Sequence, residues 1–343
     1  MQFDNLIAEL RKPAPSRAVA LQTLRESRDP ANALRLFAAA SAERDQTLGD
    51  SLWWTGAVGG ILPCRLDPPC IYCSPRTDDF LTTEDVVVGT LALAKIGIRH
   101  VHLSGGSYLK GYDDELLALV HAVQAVSDMA LEVNLGPSLS RDAVRRLKAC
   151  GVRSVTSSLE TCNAGLFART KPGDSLEGRK ALLTFCQEER MPVRSMVLIG
   201  LGESEEDRIE HLFYMRNLPT LYQLRFSRFQ PIATGIYHDN PRCSPWEVAR
   251  VIAIARLLMP NVDLALAAGN TVDDIPLWYA AGGGNQILGP HVSRIRPPSR
   301  AHAGEELIAI NARVQIASRM KQQEQYVQGF GRRINYTIPT RYQ

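Results

Sequence analysis

The chain has 343 residues, 45% hydrophobic and 22% charged, a mix that supports a sizeable core and excludes an intrinsically disordered protein. Lys and Arg number 39 against 36 Asp and Glu, a formal charge of +3 that is too even to advertise a nucleic-acid partner. The longest apolar runs, 86–98 and 248–266, are broken by Lys95, Arg250, Arg256, Pro260 and Asp263, so neither meets the ~20 residues of a bilayer span and no membrane partner is expected.

The opening MQFDNLIAELRKPAPSR places acidic residues early and lacks a basic-then-apolar leader, so the chain is expected in the cytoplasm. Leu6, Leu10, Ala18, Leu21, Leu24, Ala33, Leu34 and Phe37 recur at helical spacing between prolines, predicting an N-terminal helical extension over 1–50. From 51 onward short apolar or β-branched stretches alternate with capped amphipathic segments. The strand candidates are 57–62, 101–104, 131–135, 154–159, 193–199, 223–229, 262–268 and 285–288. Thr82-x-x-Asp85 and Ser204-x-x-Asp207 read as capping boxes, and Ser244-Pro245 sets proline at a first helical position. This series predicts an α/β fold, a (β/α)8 TIM-type barrel over 51–290, for which ~250 residues is typical; an open doubly wound sheet is the structural alternative. A C-terminal extension, 291–343, is expected to carry a helix over 305–320 and to cover one face.

The 7 cysteines are too sparse for a secreted disulfide scaffold. Three of them share the loop Cys64-Arg-Leu-Asp-Pro-Pro-Cys70-Ile-Tyr72-Cys73, which follows the first strand and so lies at the carboxyl end of a barrel, where such enzymes place their chemistry. Three thiolates can each hold one iron of a 4Fe-4S cubane and leave the fourth iron open to a chelating ligand. A zinc ion is the competing occupant, but a closed structural site asks for a fourth Cys or His that no usual spacing supplies, and uncoordinated thiols are the third reading. Cys150 and Cys186 read as core thiols on helix faces, whereas Cys162 and Cys243 leave an auxiliary cluster open.

Three cysteines with an aromatic residue just before the last, on the first loop of a β/α barrel, resemble the radical S-adenosylmethionine (SAM) superfamily. The spacing here is C-x5-C-x2-C rather than the commoner C-x3-C-x2-C. The resemblance covers residues 15–290 and is nearest to the biotin synthase-like branch, which contains methylornithine synthase and the hydrogenase maturases. It implies that Cys64, Cys70 and Cys73 are the metal ligands and that, with Glu160, they form the catalytic set. It implies further that Ser104, Gly105, Gly106 and Ser107 contact the methionine amino group, that Glu160 beside Ser158 binds the ribose, and that Arg179 forks onto the methionine carboxylate. The Val197 to Ile199 backbone would line the adenine, and Tyr72 and Asn134 complete the cofactor-binding set. Arg225, Arg228 and Asn270, with Asn134, are candidates for the substrate pocket. His102, Asn134 and Met196 stand in regions where biotin synthase carries cysteines of a sacrificial cluster, which argues against sulfur insertion by that route.

The implied cofactors are a 4Fe-4S cluster and SAM, with reduced flavodoxin or ferredoxin as electron donor. The implied activity is formation of a 5'-deoxyadenosyl radical that takes hydrogen from a small-molecule substrate. The longer first arm of the loop is most like the maturase that helps build the guanylylpyridinol cofactor of iron-only hydrogenase, so a cofactor-biosynthesis role of hydrogenase-maturation type is expected. A sulfur-inserting, lipoyl-synthase-like enzyme is the alternative, and a non-catalytic zinc-binding or redox-sensing protein is the alternative from another class.

Overall fold

The structure is a computed structural model that describes residues 2–73, 80–231, 237–296, 301 and 303–339. Helices α1 (Phe3–Leu10), α2 (Arg17–Glu26) and α3 (Pro30–Leu48) come first, where the leucine and alanine spacing predicts them. Ser16 Oγ and an Asp29 carboxylate oxygen accept from backbone N–H groups of the first turns of α2 and α3, each at 3.1 Å.

Eight strands and their helices then follow. They are β1 (Leu52–Gly59), α4 (Thr83–Lys95), β2 (His100–Ser104), α5 (Asp113–Gln124), β3 (Ala130–Asn134), α6 (Arg141–Ala149) and β4 (Ser154–Thr156). The series continues with α7 (Ala164–Thr170), α8 (Leu176–Glu188), β5 (Val193–Ile199), α9 (Glu205–Arg216), β6 (Leu221–Arg228), α10 (Pro245–Leu258), β7 (Asp263–Leu266), α11 (Ile275–Ala280) and β8 (Gln286–Arg294). Both capping boxes form, Asp85 N to Thr82 Oγ1 at 3.2 Å and Asp207 N to Ser204 Oγ at 3.1 Å.

The parallel strands run β7-β6-β5-β4-β3-β2-β1-β8, the order of a (β/α)8 barrel. Among the described residues no ladder joins β7 to β8, and the seam is stitched at its base by Gly284 N to Leu264 O, 2.7 Å, and Asn285 N to Asp263 Oδ1, 3.0 Å. No helix among the described residues is long and apolar enough to cross a membrane.

Three sequence expectations are corrected. The first strand begins at Leu52 rather than 57 and ends at Gly59, because buried Trp53 and Trp54 belong to it and Ile61 already bends into the cysteine loop. The last barrel strand runs on to Arg294, past the expected 288. The region 305–320 is not a helix: β9 (Glu306–Ala309) and β10 (Val314–Ser318) form a hairpin, and α12 (Met320–Gly329) and β11 (Ile334–Asn335) follow. β10 lies antiparallel on the extended β8, pairing Ile316 with Val292, so an uncapped edge outweighs the weak helical pattern of the tail.

The two faces of the barrel sheet differ in chemistry. Leu103, Val133, Val197, Ile199, Leu224 and Phe226 face the helices in one continuous core. The inner face is polar. Arg194 on β5 pairs with Glu132 on β3, and Gln223 Nε2 on β6 donates to Gln286 Oε1 on β8 at 2.5 Å, contacts that only the lumen allows. Thr55 Oγ1 meets His100 Nδ1 at 2.8 Å, and His100 Nε2 lies 3.2 Å from Glu132. Ordinary barrels fill these layers with branched apolar side chains.

Candidate active site

The cysteine loop is strapped across the carboxyl end of the barrel. Gly106 N donates to Leu62 O at 2.9 Å, Arg65 N to Ser107 O at 2.8 Å, Tyr112 Oη to Pro63 O at 2.7 Å and Ile71 N to Thr170 O at 3.0 Å. The loop is therefore tied to the end of β2 on one side and to the end of α7 on the other. A Cβ at Gly106 would overlap Cys64 N and Cα, and one at Gly173 would overlap Asp67 and Pro68, so two glycines let the loop lie flat against both supports.

Cys64 and Cys70 are half-buried and Cys73 is exposed. Burial pushes the Cys70 thiol up to about 12, against the pull of Lys171, so ligation must displace its proton. Among the described residues no three His, Cys, Asp or Glu side chains converge to hold a single ion. A cubane asks for something else, three thiolates each on its own iron, and the donor set on this loop suits it.

Beside Cys70 lies a buried ionic cluster that sequence reasoning saw only in part. Glu160 follows β4 with φ +66°, a conformation side chains rarely adopt, and is held there by Glu160 N to Met196 O, 2.8 Å, and Leu198 N to Glu160 O, 2.9 Å. Its Oε2 accepts from Lys171 Nζ at 3.1 Å, and Lys171 also meets Asp174 at 3.2 Å. Arg179 pairs with Asp174 at 2.6 Å, donates to Ser158 O at 2.6 Å and reaches Ser107 Oγ at 3.5 Å. Burial works against the Asp174 charge, but Arg179 and Lys171 outweigh it and hold the carboxyl below its ordinary range. Burial likewise opposes the Arg179 charge and is outweighed by Asp174 and Glu160. The structure thus brings Ser107, Ser158, Glu160 and Arg179 into one arrangement beside Cys70. Lys171 and Asp174 were missed; the Lys-Pro-Gly-Asp turn after α7 was the signal, but a buried lysine reads in sequence as a surface one.

The other candidates divide by face. Ser104 ends β2 in register with Asn134 at the end of β3, and Gly105 N donates to Asn134 O at 3.0 Å. Val197 and Ile199 turn their side chains outward into the helix-facing core, so only their backbone faces the mouth; Leu198 is the inward neighbour. Tyr72 packs on Leu198, Leu201 and Phe229, and its buried Oη has no partner. Arg225 lies in the lumen, whereas Arg228 is paired with Asp274 at 3.3 Å and Asn270 Nδ2 is used by Phe226 O at 2.7 Å. Cys162 sits away from this cluster, with Lys180 and Glu210 as its charged neighbours. Cys186 is buried in the core, Cys150 only half-buried at the end of α6, and Cys243 lies 3.5 Å from Glu247.

Fold and site together define a β/α-barrel enzyme with a cysteine loop over its mouth. A family profile described as the Radical SAM superfamily matches residues 64–215. A Zymomonas mobilis biotin synthase is 27% identical over 253 residues, 70% of this chain and 75% of that protein. An uncharacterized protein of Methanocaldococcus jannaschii is 28% identical over 263 residues, 74% of this chain and 69% of its own length. Among solved structures, methylornithine synthase superposes with TM-score 0.76 at 19% identity, covering 96% of this chain and 97% of that one. The FeFe-hydrogenase maturase of Carboxydothermus hydrogenoformans gives 0.73 at 17%, covering 84% and 71%; these two likenesses bear on the fold. Residues 64–215 carry the radical SAM domain, biotin synthases are among the relatives of the chain, and it is an enzyme of the class that uses a 4Fe-4S cluster and SAM.

Proposed function

We propose that Cys64, Cys70 and Cys73 hold the cluster and that the groups gathered beside Cys70 hold SAM. The observation that carries this reading is the placement of the loop: Gly106 presses on Cys64 at one end while Ile71 N bonds Thr170 O at the other, so the Cys70 thiol lies next to Glu160 and Arg179. Glu160, with Oε2 held by Lys171, would take the ribose hydroxyls, and Ser104, Gly105, Gly106, Ser107, Asn134 and Ser158 would orient the methionine end. Arg179 positions that end through Ser107 and Ser158 O while Asp174 fixes its plane. Tyr72 and the Val197 to Ile199 backbone would bound the adenine. Bound there, the cofactors would supply radical chemistry able to take hydrogen from a carbon that no side chain activates. The protein's part is to bind, orient and exclude water.

The finer reading is a small-molecule reaction in cofactor biosynthesis of the hydrogenase-maturation type, fed by reduced flavodoxin or ferredoxin; it rests on the C-x5-C-x2-C loop. The chain would be organised as a helical extension over 1–50, the barrel over 51–290 and a C-terminal extension over 291–343. Anaerobic reconstitution tests the site: the protein should turn brown with about four irons and form 5'-deoxyadenosine from SAM and dithionite. Cys70→Ala should abolish that product. Colourless protein with one zinc would end the reading.

A further inference from the structure

Among the described residues, the buried arginines other than Arg225 meet a carboxylate or, for Arg256, a set of backbone carbonyls. Arg179 meets Asp174 at 2.6 Å, Arg208 meets Glu203 at 2.7 Å, Arg194 is paired with Glu132, and Arg256 reaches three backbone carbonyls at 2.8 Å each. Arg225, on the inner face of β6, donates only to two neutral amide oxygens, Gln223 Oε1 at 2.8 Å and Gln286 Oε1 at 3.3 Å. Among the described residues no carboxylate lies within ion-pair distance of it, and a guanidinium has five N–H donors to place.

The acids nearest in the lumen are already engaged. Glu132 is paired with Arg194 and His100, and Asp263 accepts from Gln223 Nε2 at 2.8 Å and Asn285 N at 3.0 Å. Burial lowers the Arg225 pKa to about 10, with distant Asp263 opposing, so the group stays charged at neutral pH without a matching charge. A buried cation left in that state is costly unless a ligand completes it.

Two further observations point the same way. Thr156 Oγ1 and Ser154 Oγ are buried without partners. Both lie on the inner face of β4, since Ser154 pairs in register with Glu132 and Thr156 with Asn134 and Arg194. The lumen also keeps some exposure at this level: Arg225 keeps 8% of its surface and His102 6%, whereas Arg194, two residues earlier in the β5–β6 register, keeps none.

We propose that Arg225 is the anion-binding floor of the substrate pocket and that the substrate carries an oxyanion, a carboxylate or phosphate, which docks on its guanidinium with hydroxyl donation from Thr156. The fork of N–H groups matches such oxyanions in geometry and sign. The assignment rests on the radical SAM reading of the same barrel. It also orients the substrate: with the anion on the floor, the carbon to be attacked lies at the other end, toward the cysteine loop.

Isothermal titration of the anaerobically reconstituted full chain, with SAM present, tests this using acetate and inorganic phosphate as anions and acetamide as the neutral counterpart. At least one anion should bind about tenfold more tightly than acetamide, and whichever wins separates carboxylate from phosphate. Arg225→Gln should weaken that anion by about tenfold or more, and Arg225→Lys should restore part of the loss. No anion binding in the unmodified chain, equal affinity for acetamide, or an unchanged affinity in Arg225→Gln overturns the proposal. Should Arg225→Gln fail to fold, the comparison of anion with amide in the unmodified chain and the Arg225→Lys result still decide. Iron content and 5'-deoxyadenosine formation by the unmodified chain judge the radical reading separately, so either can fail alone.

Discussion

The mouth and the floor of this barrel are both polar, but they are built differently. At the mouth, charges are assembled from short stretches of sequence: Cys64, Cys70 and Cys73 share one loop, and Lys171, Asp174 and Arg179 share another with its following helix. On the floor, the members come from separate strands, His100 from β2, Glu132 from β3, Arg194 from β5, Gln223 from β6 and Gln286 from β8. The mouth has groups left to spend on ligands, whereas among the described residues the floor is closed on itself except around Arg225, Ser154 and Thr156. A site meant to bind can be local; a network meant to hold eight strands in register must be distributed.

The sharpest way to break that contrast is Glu132→Ala. It strands the Arg194 guanidinium, fully buried, and should destabilise the metal-free chain by about 3–5 kcal/mol in urea unfolding. A smaller loss would mean the floor is no more than packing. Next comes the mouth's strap: in Gly106→Ala the added methyl collides with the Cys64 backbone, which cannot yield as a flexible side chain would. We expect a loss of about 2 kcal/mol and a severalfold fall in iron taken up on reconstitution. Normal iron content would show that the loop does not depend on this contact.

Lys171→Ala separates the regions at lower amplitude. It frees the Glu160 carboxylate, and SAM affinity measured by equilibrium dialysis should fall about tenfold, about 1.4 kcal/mol. Lys171→Arg should recover much of this by keeping the charge, while a variant equal to the unmodified chain would remove Lys171 from the site.

The same contrast explains what the sequence disclosed. Both capping boxes, the cysteine loop and the glycine turn depend on residues within a few positions of one another, so Thr82 with Asp85, or Cys70 with Cys73, could be read directly. Short apolar or β-branched stretches also located most of the strands to within a few residues. Lys171 was invisible because its partner Glu160 lies eleven positions back across a turn, and nothing local marks a lysine as buried. On the floor Arg225 was named, but its network was invisible for a stronger reason: Arg194 and Glu132 are brought together only by the fold of the barrel, a long-range event. The tail was misread because its hairpin is specified by the free edge of β8 rather than by its own pattern.

The smallest effect bears on the charge state of the floor. His100 Nε2 lies 3.2 Å from Glu132, a distance that would suit an ion pair if the imidazole were protonated. Burial, followed by the Arg225 charge, instead lowers its pKa from 6.5 to about 3, and Arg194 already neutralises Glu132, so the ring is neutral in the folded chain. The sign follows: between those two values the unfolded chain binds a proton that the folded chain does not, so stability must fall as pH drops below 6.5. From pH 7 to pH 6 this one group should remove about 0.7 kcal/mol, and His102 and His211, lowered in the same direction by burial, add to it. His100→Gln isolates its share, since the variant's unfolding free energy should lose the increment belonging to one proton while keeping the rest. If acidification stabilised the chain, or if the variant showed a steeper decline, the ring would be charged in the native state. The floor would then carry a second cation against Glu132, leaving the lumen still more in need of an anionic ligand.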